Sequence, residues 1–370
     1  MTEMTLAQPP VDVPRAGARR ITQLLSRAVA NHSSDMHIIV GLPPLQRIHT
    51  VLAGLENEAP VTPQEAIGFV RELLTEEQFA RLMDRLDLDF STAISDGTRF
   101  RVNAHFQRGT PALAFRAIPG RVPELSSLNL PEVVTEFADM EQGLVLVTGE
   151  TGSGKSTTLA SMVDYINHKR QAHVITLEDP IEYFLVSDRC VIEQRAVGAD
   201  VKDFASGLRH VLRQDPDVIL IGEMRDLETI STALTAAETG HLVLSTLHTN
   251  DSASTVERII DTFPAEQQNQ VRSMLANTLK GVICQRLFPR IDESGMVPST
   301  EILVTTPAVR NCIRENRIFE IPNIIETNRA MGMRLFDESL KQLYFSGLIS
   351  REDAVGSARS TEQMERALSA

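Results

Sequence analysis

The sequence has no surplus of basic residues. Its 36 Lys and Arg stand against 49 Asp and Glu, which gives a formal net charge of −13 at pH 7. Proteins that bind nucleic acid without regard to its sequence rely on Lys and Arg to neutralise phosphates. The charge therefore argues against a nucleic-acid-binding protein, although an acidic chain can still carry a local basic patch. We expect no nucleic-acid partner.

Cysteine is scarce and scattered along the chain. Cys190, Cys284 and Cys312 form no CxxC pair, so the sequence contains neither a disulfide framework nor the ligand spacing of a zinc site. We interpret all three as small buried hydrophobic residues of a protein from a reducing compartment. No zinc is expected.

Long apolar runs are missing as well. No stretch of the sequence reaches the roughly 18 uninterrupted apolar residues of a membrane-spanning helix. Residues 1–20 have no apolar core of signal-peptide length, and Pro9, Pro10 and Pro14 interrupt them. We predict a cytoplasmic protein whose membrane association, if any, is made through partners.

The first third of the chain mixes helical and strand-like patterns. Apolar residues recur at helical spacing in Ile21–Ala30 and in Pro63–Leu86, where Thr62 is a candidate cap. Met36–Val40 and Arg99–Phe106 have the character of strands. This part of the sequence therefore predicts an α+β domain.

From Gly143 onward the pattern changes. Apolar runs recur at Leu144–Thr148, Val174–Leu177, Val218–Ile221 and Leu242–Thr246, and helical patterns separate most of them. Such alternation predicts a parallel sheet with helices on its faces. After about residue 290 the pattern is mainly helical. The predicted organisation is a flexible tail (1–17), an N-terminal domain (18–118), a linker (119–140), a parallel-sheet core (141–290) and a C-terminal helical region (291–370).

A phosphate-binding motif follows the first of these runs. It matches GxxxxGK[ST] with Gly149, Glu150, Thr151, Gly152, Ser153, Gly154, Lys155 and Ser156, and a helical pattern begins at Thr157. Glycines let the backbone wind around a phosphate with its N–H groups inward, and the helix adds its positive end. Lys155 is expected to reach the β- and γ-phosphates of ATP, and Ser156 to ligate Mg²⁺.

Two strand-end acids are candidates for the hydrolytic chemistry, which needs one acid for Mg²⁺ and one to orient water. Glu223 follows the run that ends at Ile221, and Glu178 and Asp179 follow the run that ends at Leu177. Ligands of such sheets lie beyond the carboxyl ends of the strands. We assign Glu223 to Mg²⁺, through water, and Glu178 to the general base. The alternative is that these acids only cap helices or turns, which we favour for Asp179.

Two histidines flank a further run. His241 precedes Leu242–Thr246, and His248 comes shortly after it. A histidine near the γ-phosphate could report hydrolysis by donating to phosphate or water. Considered alone, each histidine is more often a structural residue than a functional one.

Three segments, taken in order, resemble the PilT family of type IV pilus retraction ATPases, within the type II/IV secretion ATPase superfamily. They are GETGSGKSTTLA, ITLEDPIEY and QDPDVILIGEMRDLETISTALTAAETGHLVLSTLHTN. The resemblance runs from about Ile21 to Ala354. It implies an α/β fold in which a PAS-like N-terminal α+β domain is joined to a RecA-like P-loop ATPase domain with a C-terminal helical appendage. It also implies that Glu178 belongs to the Asp box, Glu223 to an atypical Walker B motif, and His241 and His248 to the His box.

The resemblance carries further implications for assembly. Relatives use arginines of the first domain to reach phosphates, and the matching positions are Arg99, Arg101 and Arg116; the alternative is a solvated strand face. The family forms homohexamers in which nucleotide lies in the cleft between domains and hydrolysis swings one domain against the other. The implied partner is a PilC-like platform protein of the inner membrane, and the implied location is its cytoplasmic side at the pilus base.

A segment of the C-terminal region resembles the AIRNLIRE element that is associated with retraction in the family. It consists of Ala308, Val309, Arg310, Asn311, Cys312, Ile313, Arg314 and Glu315. The alternative is a plain amphipathic helix. The tail Ser360–Ala370 is more similar to the accessory paralogue PilU, which leaves open whether this chain is the main retraction ATPase, the accessory one or a partner of its paralogue.

Three other functions compete with retraction. Pilus-assembly and type II secretion ATPases are generally longer and usually carry a four-cysteine zinc element, and this sequence has neither feature. If the chain were a type IV secretion ATPase of the VirB11 or DotB kind, the presence of the AVRNCIRE segment would have no explanation. A non-hydrolysing ATP-binding module needs no water-orienting acid, so the combination of Lys155, Ser156, Glu178 and Glu223 argues against it.

Overall fold

The computed structural model describes residues 20–48, 51–95, 97–118 and 120–369. The tail predicted for residues 1–17, and Pro119 at the start of the predicted linker, lie outside the described residues. The chain divides into two compact units, Met1–Gly120 and Arg121–Ala370. Among the described residues, no helix has the length and apolar character needed to cross a bilayer.

The first unit is built on a six-stranded antiparallel sheet in the order β3-β2-β1-β6-β5-β4. Three helices contact the sheet, and one hydrophobic core holds them together. The elements are α1 (Ile21–Ala30), β1 (Asp35–Ile38), β2 (Leu45–Ile48), β3 (Val51–Gly54), α2 (Pro63–Leu73), α3 (Glu76–Arg85), β4 (Asp87–Ala93), β5 (Arg99–Gln107) and β6 (Thr110–Ile118).

The helical pattern of Pro63–Leu86 forms two helices instead of one. Thr62 caps α2 in a reciprocal capping box with Glu65, as the sequence predicts, and Thr75 caps α3 in the same way with Gln78. Each box satisfies backbone donors that an uncapped helix start leaves unpaired. The second capping sequence, TEEQ, therefore starts a new helix where the periodicity alone suggests continuation.

The second unit is built on a seven-stranded sheet in the order β13-β12-β7-β11-β10-β8-β9, in which only β13 is antiparallel to its neighbour. Its elements are α4 (Val133–Ala138), β7 (Gly143–Thr148), α5 (Lys155–Lys169), β8 (His173–Glu178), β9 (Val191–Ala196), α6 (Phe204–Val211), β10 (Val218–Ile221), α7 (Leu227–Glu238), β11 (Leu242–Leu247), α8 (Ser252–Asp261), α9 (Gln268–Thr278), β12 (Leu279–Pro289), β13 (Met296–Val304), α10 (Pro307–Arg314), α11 (Ile321–Thr327), α12 (Phe336–Phe345), α13 (Arg351–Gly356) and α14 (Thr361–Ser369).

Burial explains why the sequences of the central strands are continuously apolar. Every residue of β7, β10 and β11 is buried, and separate hydrophobic clusters cover the two faces of the sheet. A parallel strand with helices on both faces has no solvated side, so it needs no polar alternation. The predicted α/β fold, with an α+β first domain and a parallel-sheet second domain, is confirmed.

The mainly helical prediction for residues 291–370 is wrong at β13, and β12 was also not predicted. These two strands pair along their length at the edge of the sheet. Their sequence interrupts the apolar pattern, because Gln285, Ser299, Thr300 and Glu301 are buried polar residues. Pro298 adds a further break that is tolerated on an edge strand. Neither segment therefore resembles the apolar strands next to it.

The last helices pack around a small core of their own and connect to the sheet through an ion pair between a half-exposed arginine and a buried carboxylate. Leu340, Ile349 and Met364 belong to this core. Between α13 and α14, Arg359 donates to the Glu301 carboxylate at 2.9 Å, and the Glu301 side chain is only 2% exposed. The other Glu301 oxygen accepts from the backbone N–H of Ser252 at 2.8 Å. Burial raises the pKa of Glu301, and the charge of Arg359 opposes that rise.

Replacing Arg359 with Ala is expected to destabilise the folded protein by about 2–3 kcal/mol, because it leaves a buried carboxylate without its cationic partner. The matched control is Arg366→Ala, which removes an exposed ion pair with Glu362, both residues lying on α14. This change should lower the free energy of unfolding by less than about 0.5 kcal/mol. Thermal unfolding of the two variants checks this. Equal midpoints for both would contradict the role given to the buried pair.

Candidate active site

Four parallel strands of the second unit end at one edge of the sheet. Thr148 at the end of β7 lies level with Leu247 of β11, and Ile221 of β10 lies level with Leu177 of β8. The segments that follow these strands therefore start side by side. They carry four of the predicted site residues, namely Gly149, Glu178, Glu223 and His248.

Side-chain hydroxyls and backbone amides tie these strand ends to one another. Thr246 Oγ1 donates to the carbonyl of Gly222 at 2.6 Å, and Ser245 Oγ donates to the carbonyl of Ile221 at 2.8 Å. The Gly222 N–H donates to the carbonyl of Leu177 at 2.7 Å. These bonds fix the backbone just before Glu223, so this acid projects from a rigid strand end.

The phosphate-binding motif forms a tight loop between β7 and α5. Gly149, Gly152 and Gly154 have positive φ angles of 141°, 84° and 87°, a backbone region that suits glycine. Helix α5 starts from Gly154 without a side-chain cap among the described residues, so its first N–H groups remain for a ligand. The buried Ser153 hydroxyl also has no partner in the part of the chain that the structure describes. This donor set fits a polyphosphate.

Lys155 lies within the loop instead of extending into solvent. Its Nζ donates to the carbonyls of Gly149 and Glu150, each at 2.8 Å, and the residue is buried. Burial lowers the pKa of Lys155, while the carboxylates of Glu182 and Glu223 oppose that shift. The cation is thus held at the mouth of the loop, where it can pair with phosphate charge.

Gln285 fastens this loop to the sheet, and the sequence analysis missed it. From β12, its Nε2 donates to the carbonyl of Ser153 at 2.7 Å, and its Oε1 accepts from Thr158 Oγ1 at 2.8 Å. The side chain is buried. Gln285 lies 132 positions from Ser153, so no local pattern could have indicated this contact.

Glu178 ends β8 with its carboxylate held in place. Its Oε1 accepts from Thr176 Oγ1 at 2.6 Å and from Gln194 Nε2 at 3.0 Å. Burial raises the pKa of Glu178 above its ordinary value, and these two hydrogen bonds limit the rise. A fixed carboxylate with a raised pKa is suited to accept a proton near neutral pH.

Glu223 and His248 are neighbours, as the strand-end argument predicts. His248 Nε2 lies 3.5 Å from Glu223 Oε2, and Arg225 Nε lies 2.7 Å from Glu223 Oε1. Both carboxylate oxygens thus have a basic side chain beside them. Arg225 was not predicted, although it follows Glu223 by only two positions. The cluster combines an acid, an imidazole and a guanidinium at the edge where the phosphate loop begins.

His241 lies at the opposite edge of the sheet. Its carbonyl accepts from the Gly143 N–H at the start of β7, and its Nδ1 lies 2.9 Å from the carbonyl of Ala236. The six residues of β11 lie between it and His248, so the two Cα atoms are about 23 Å apart at roughly 3.3 Å per residue step. His241 therefore does not reach the phosphate loop of its own chain, and its role as a nucleotide sensor stays a prediction.

The three predicted arginines lie on one face of the first unit's sheet. Arg99 and Arg101 are two positions apart on β5, and Arg101 is directly opposite Arg116 on β6. Arg116 Nε donates to Asp35 at 2.9 Å. Burial alone would raise the pKa of Asp35, but hydrogen bonds from Arg116 and Ser34 hold it below its usual value. Contact between these arginines and phosphate stays a prediction.

The AVRNCIRE segment is helix α10, capped by Thr306. Val309, Cys312 and Ile313 are buried, and Arg314 donates to the Asn277 side chain at 2.7 Å. The helix has an amphipathic pattern. Within the AVRNCIRE segment the exposed residues, which are the ones open to a partner, are Ala308, Asn311, Arg314 and Glu315.

Comparison with known proteins shows the family. The family model described as "Type II/IV secretion system protein" matches residues 99–348. The type IV pilus retractation ATPase PilT of Pseudomonas aeruginosa is 44% identical over 92% of this chain and 99% of its own length. The type IV pilus ATPase PilU of the same organism is 37% identical over 92% of this chain and 89% of its own length.

A solved structure supports the same conclusion. A crystal structure of the pilus retraction motor PilT with bound ADP matches with a TM-score of 0.88 and 43% identity, covering 94% of this chain and 99% of the other. Sequence and fold thus agree along nearly the whole length of both proteins. The chain belongs to the type II/IV secretion system protein family, and within that family it is an ATPase of the PilT type.

Proposed function

We propose that this protein is a motor that hydrolyses ATP to drive type IV pilus retraction, and hence twitching motility. One observation carries the hydrolytic part: a glycine-rich phosphate loop, a fixed strand-end carboxylate and a Glu–His–Arg cluster lie at one edge of a parallel sheet. The retraction part rests on the similarity to PilT over nearly the full length of that protein.

ATP would bind with its phosphates in the loop that starts at Gly149. Lys155 supplies a cation, and the first N–H groups of α5 supply donors. The residues available for Mg²⁺ are Ser156, a hydroxyl on the first turn of α5, and Glu223, and oxygen donors of this kind suit that ion. Because basic side chains already lie beside both Glu223 oxygens, we assign Glu223 a contact through water. Bound Mg²⁺ would neutralise charge on the phosphates.

Glu178 would act as the general base. Its carboxylate takes a proton from the attacking water, and the hydrogen bonds to Oε1 keep its plane fixed while it does so. His248 beside Glu223 is placed to respond to charge changes at the phosphates. Loss of the γ-phosphate would then change the interactions of the Glu223–His248–Arg225 cluster.

We further propose that six copies form a ring on the cytoplasmic side of the inner membrane, at the pilus base. In that ring Arg99, Arg101 and Arg116 would face phosphates, and the exposed face of α10 would contact the machinery of retraction. A PilC-like platform protein would receive the motion. The similarity to PilT supports this assembly. A cleft that closes on ATP and reopens after hydrolysis would work by a hinge mechanism.

The cellular test is a Glu178→Gln substitution at the native locus, with surface filaments counted against the parent strain. Gln keeps the shape of the side chain but cannot accept the proton, so ATP binding should persist while turnover stops. We expect more filaments and lost surface motility. Absent filaments would instead identify an assembly motor, and an unchanged count would favour an accessory or secretion role.

An accessory role similar to that of PilU is the second candidate. The resemblance of the C-terminal tail, which forms helix α14 (Thr361–Ser369), raises this alternative, and 37% identity to PilU over 92% of this chain supports it. The higher identity to PilT, 44% against 37%, favours the main retraction role. Deleting the gene separates the two, since loss of a main motor abolishes retraction and loss of an accessory motor only weakens it.

A further inference from the structure

The side-chain amide of Gln194, on β9, makes three hydrogen bonds close to Glu178. Its Nε2 donates to Glu178 Oε1 at 3.0 Å and to the carbonyl of Tyr183 at 2.8 Å. Its Oε1 accepts from the backbone N–H of Leu185 at 2.8 Å. Both donors and the acceptor are therefore used, which fixes the orientation of the amide. A side chain held this way can in turn fix the carboxylate that it contacts.

The register of the sheet places these groups on one face. Gln194 lies opposite Thr176, and Ala196 lies opposite Glu178. Successive residues of a strand point to opposite faces, so Thr176, Glu178 and Gln194 share a face. The two side-chain donors converge on the same oxygen, Oε1. That convergence sets the rotation of the carboxylate about its last bond.

The same segment reaches back to the phosphate loop. Tyr183, whose carbonyl accepts from Gln194, is buried, and its hydroxyl lies 2.9 Å from Thr157 Oγ1. Thr157 belongs to the first turn of α5, next to Ser156. A continuous chain of hydrogen bonds thus runs from the start of α5 through Tyr183 and Gln194 to Glu178.

We propose that Gln194 is a positioning residue for ATP hydrolysis: it orients the Glu178 carboxylate and links it, through Tyr183, to the helix that follows the phosphate loop. This inference rests on the proposed role of Glu178 as the base. A base whose orientation depends on the loop stays aligned with the water only while the loop holds its phosphate contacts. Gln194 would thereby couple nucleotide binding to the chemical step.

The electrostatic surroundings of Glu178 make the contribution of Gln194 measurable through the pKa of Glu178. Burial raises the pKa of Glu178, hydrogen bonds from Thr176 and Gln194 lower it, the backbone N–H of Glu182 lowers it, and the Glu182 charge raises it. Lys155 and Glu223 belong to the same edge of the sheet. Glu193 and Arg195 flank Gln194 on β9 and point to the other face. Removing the Gln194 donor should therefore raise the pKa of Glu178 further.

The test is the pH profile of kcat for Gln194→Leu, measured with saturating MgATP. Because the base must be deprotonated to act, we expect the acidic limb of the profile to move to higher pH by about half a unit to one unit. Misorientation should also lower the plateau value of kcat by roughly tenfold, with KM for ATP within a few-fold of wild type. Thr176→Val removes the other donor to Oε1 and should shift the limb in the same direction.

Tyr183→Phe separates the two parts of the proposal, since it removes the hydroxyl bonded to Thr157, and with it the link to α5, but keeps the carbonyl bonded to Gln194; it is expected to lower kcat without changing the pKa of Glu178. Its acidic limb should stay where wild type has it. The inference is overturned if the Gln194→Leu protein unfolds at the wild-type temperature and the acidic limb of its kcat profile lies at the same pH as in wild type. If Glu178→Gln itself hydrolyses ATP normally, the proposed function fails instead, so the two failures are distinguishable.

Discussion

Purified protein carrying Glu178→Gln is expected to hydrolyse ATP about 10²–10⁴ times more slowly than wild type, the range for loss of a positioned general base. The amide is nearly isosteric and can still accept from Thr176 and Gln194 through its oxygen, so the strand end should keep its structure. Nucleotide affinity should stay within a few-fold of wild type, because the phosphate loop is untouched. Steady-state phosphate release and binding of a fluorescent ATP analogue measure the two quantities.

Glu141→Gln provides the control for that substitution. Glu141 is exposed and lies just before β7, at the edge of the sheet opposite to the phosphate loop, so its loss should leave both turnover and affinity unchanged. If Glu178→Gln retained more than about half of wild-type turnover, Glu178 would not be the base. The next acid to consider would then be Glu223.

Gly149→Ala is expected to lower nucleotide affinity by at least about tenfold, which corresponds to roughly 1.4 kcal/mol. Gly149 has φ of 141°, and a Cβ there would lie 2.2 Å from the carbonyl oxygen of Gln285 and 2.7 Å from Ser153 Oγ. The first contact is with backbone and cannot be relieved by turning a side chain. The loop must move away from β12, and the aligned N–H groups that bind phosphate move with it.

Gly347→Ala separates backbone strain from this steric conflict. Gly347 has φ of 69°, and a Cβ there would meet nothing within 4 Å. It should reduce stability by about 1 kcal/mol but leave nucleotide affinity unchanged. Titration with a fluorescent nucleotide, after thermal unfolding has verified the fold, compares the two variants. Wild-type affinity in Gly149→Ala would show that the close packing of the loop on Gln285 does not matter for binding.

The parts of the site that the sequence predicted are those fixed by local patterns. The phosphate loop is a contiguous motif between an apolar strand and a helix, and parallel strands bring their carboxyl ends to one edge. Glu178, Glu223 and His248 follow from that rule without further information. The same rule places His241 at the other edge of the sheet, because it precedes β11 while His248 follows it.

The parts that the sequence did not predict depend on long-range contacts or on polar burial. Gln285 reaches Ser153 across 132 positions, and Gln194 reaches Glu178 across a strand pair whose register no local pattern specifies. Strands β12 and β13 bury Gln285 and Glu301, which only tertiary partners can satisfy. Sequence periodicity indicates apolar faces, but it does not indicate which polar groups are buried and paired with one another.

The most direct test of the central claim is to watch single pili on living cells. Fluorescently labelled filaments would be imaged over time in the parent strain and in a strain whose native copy carries Glu178→Gln. If ATP hydrolysis by this protein drives retraction, parental filaments extend and then shorten, whereas mutant filaments extend, stay long and accumulate. Mutant filaments that shorten as often and as fast as those of the parent would contradict the account.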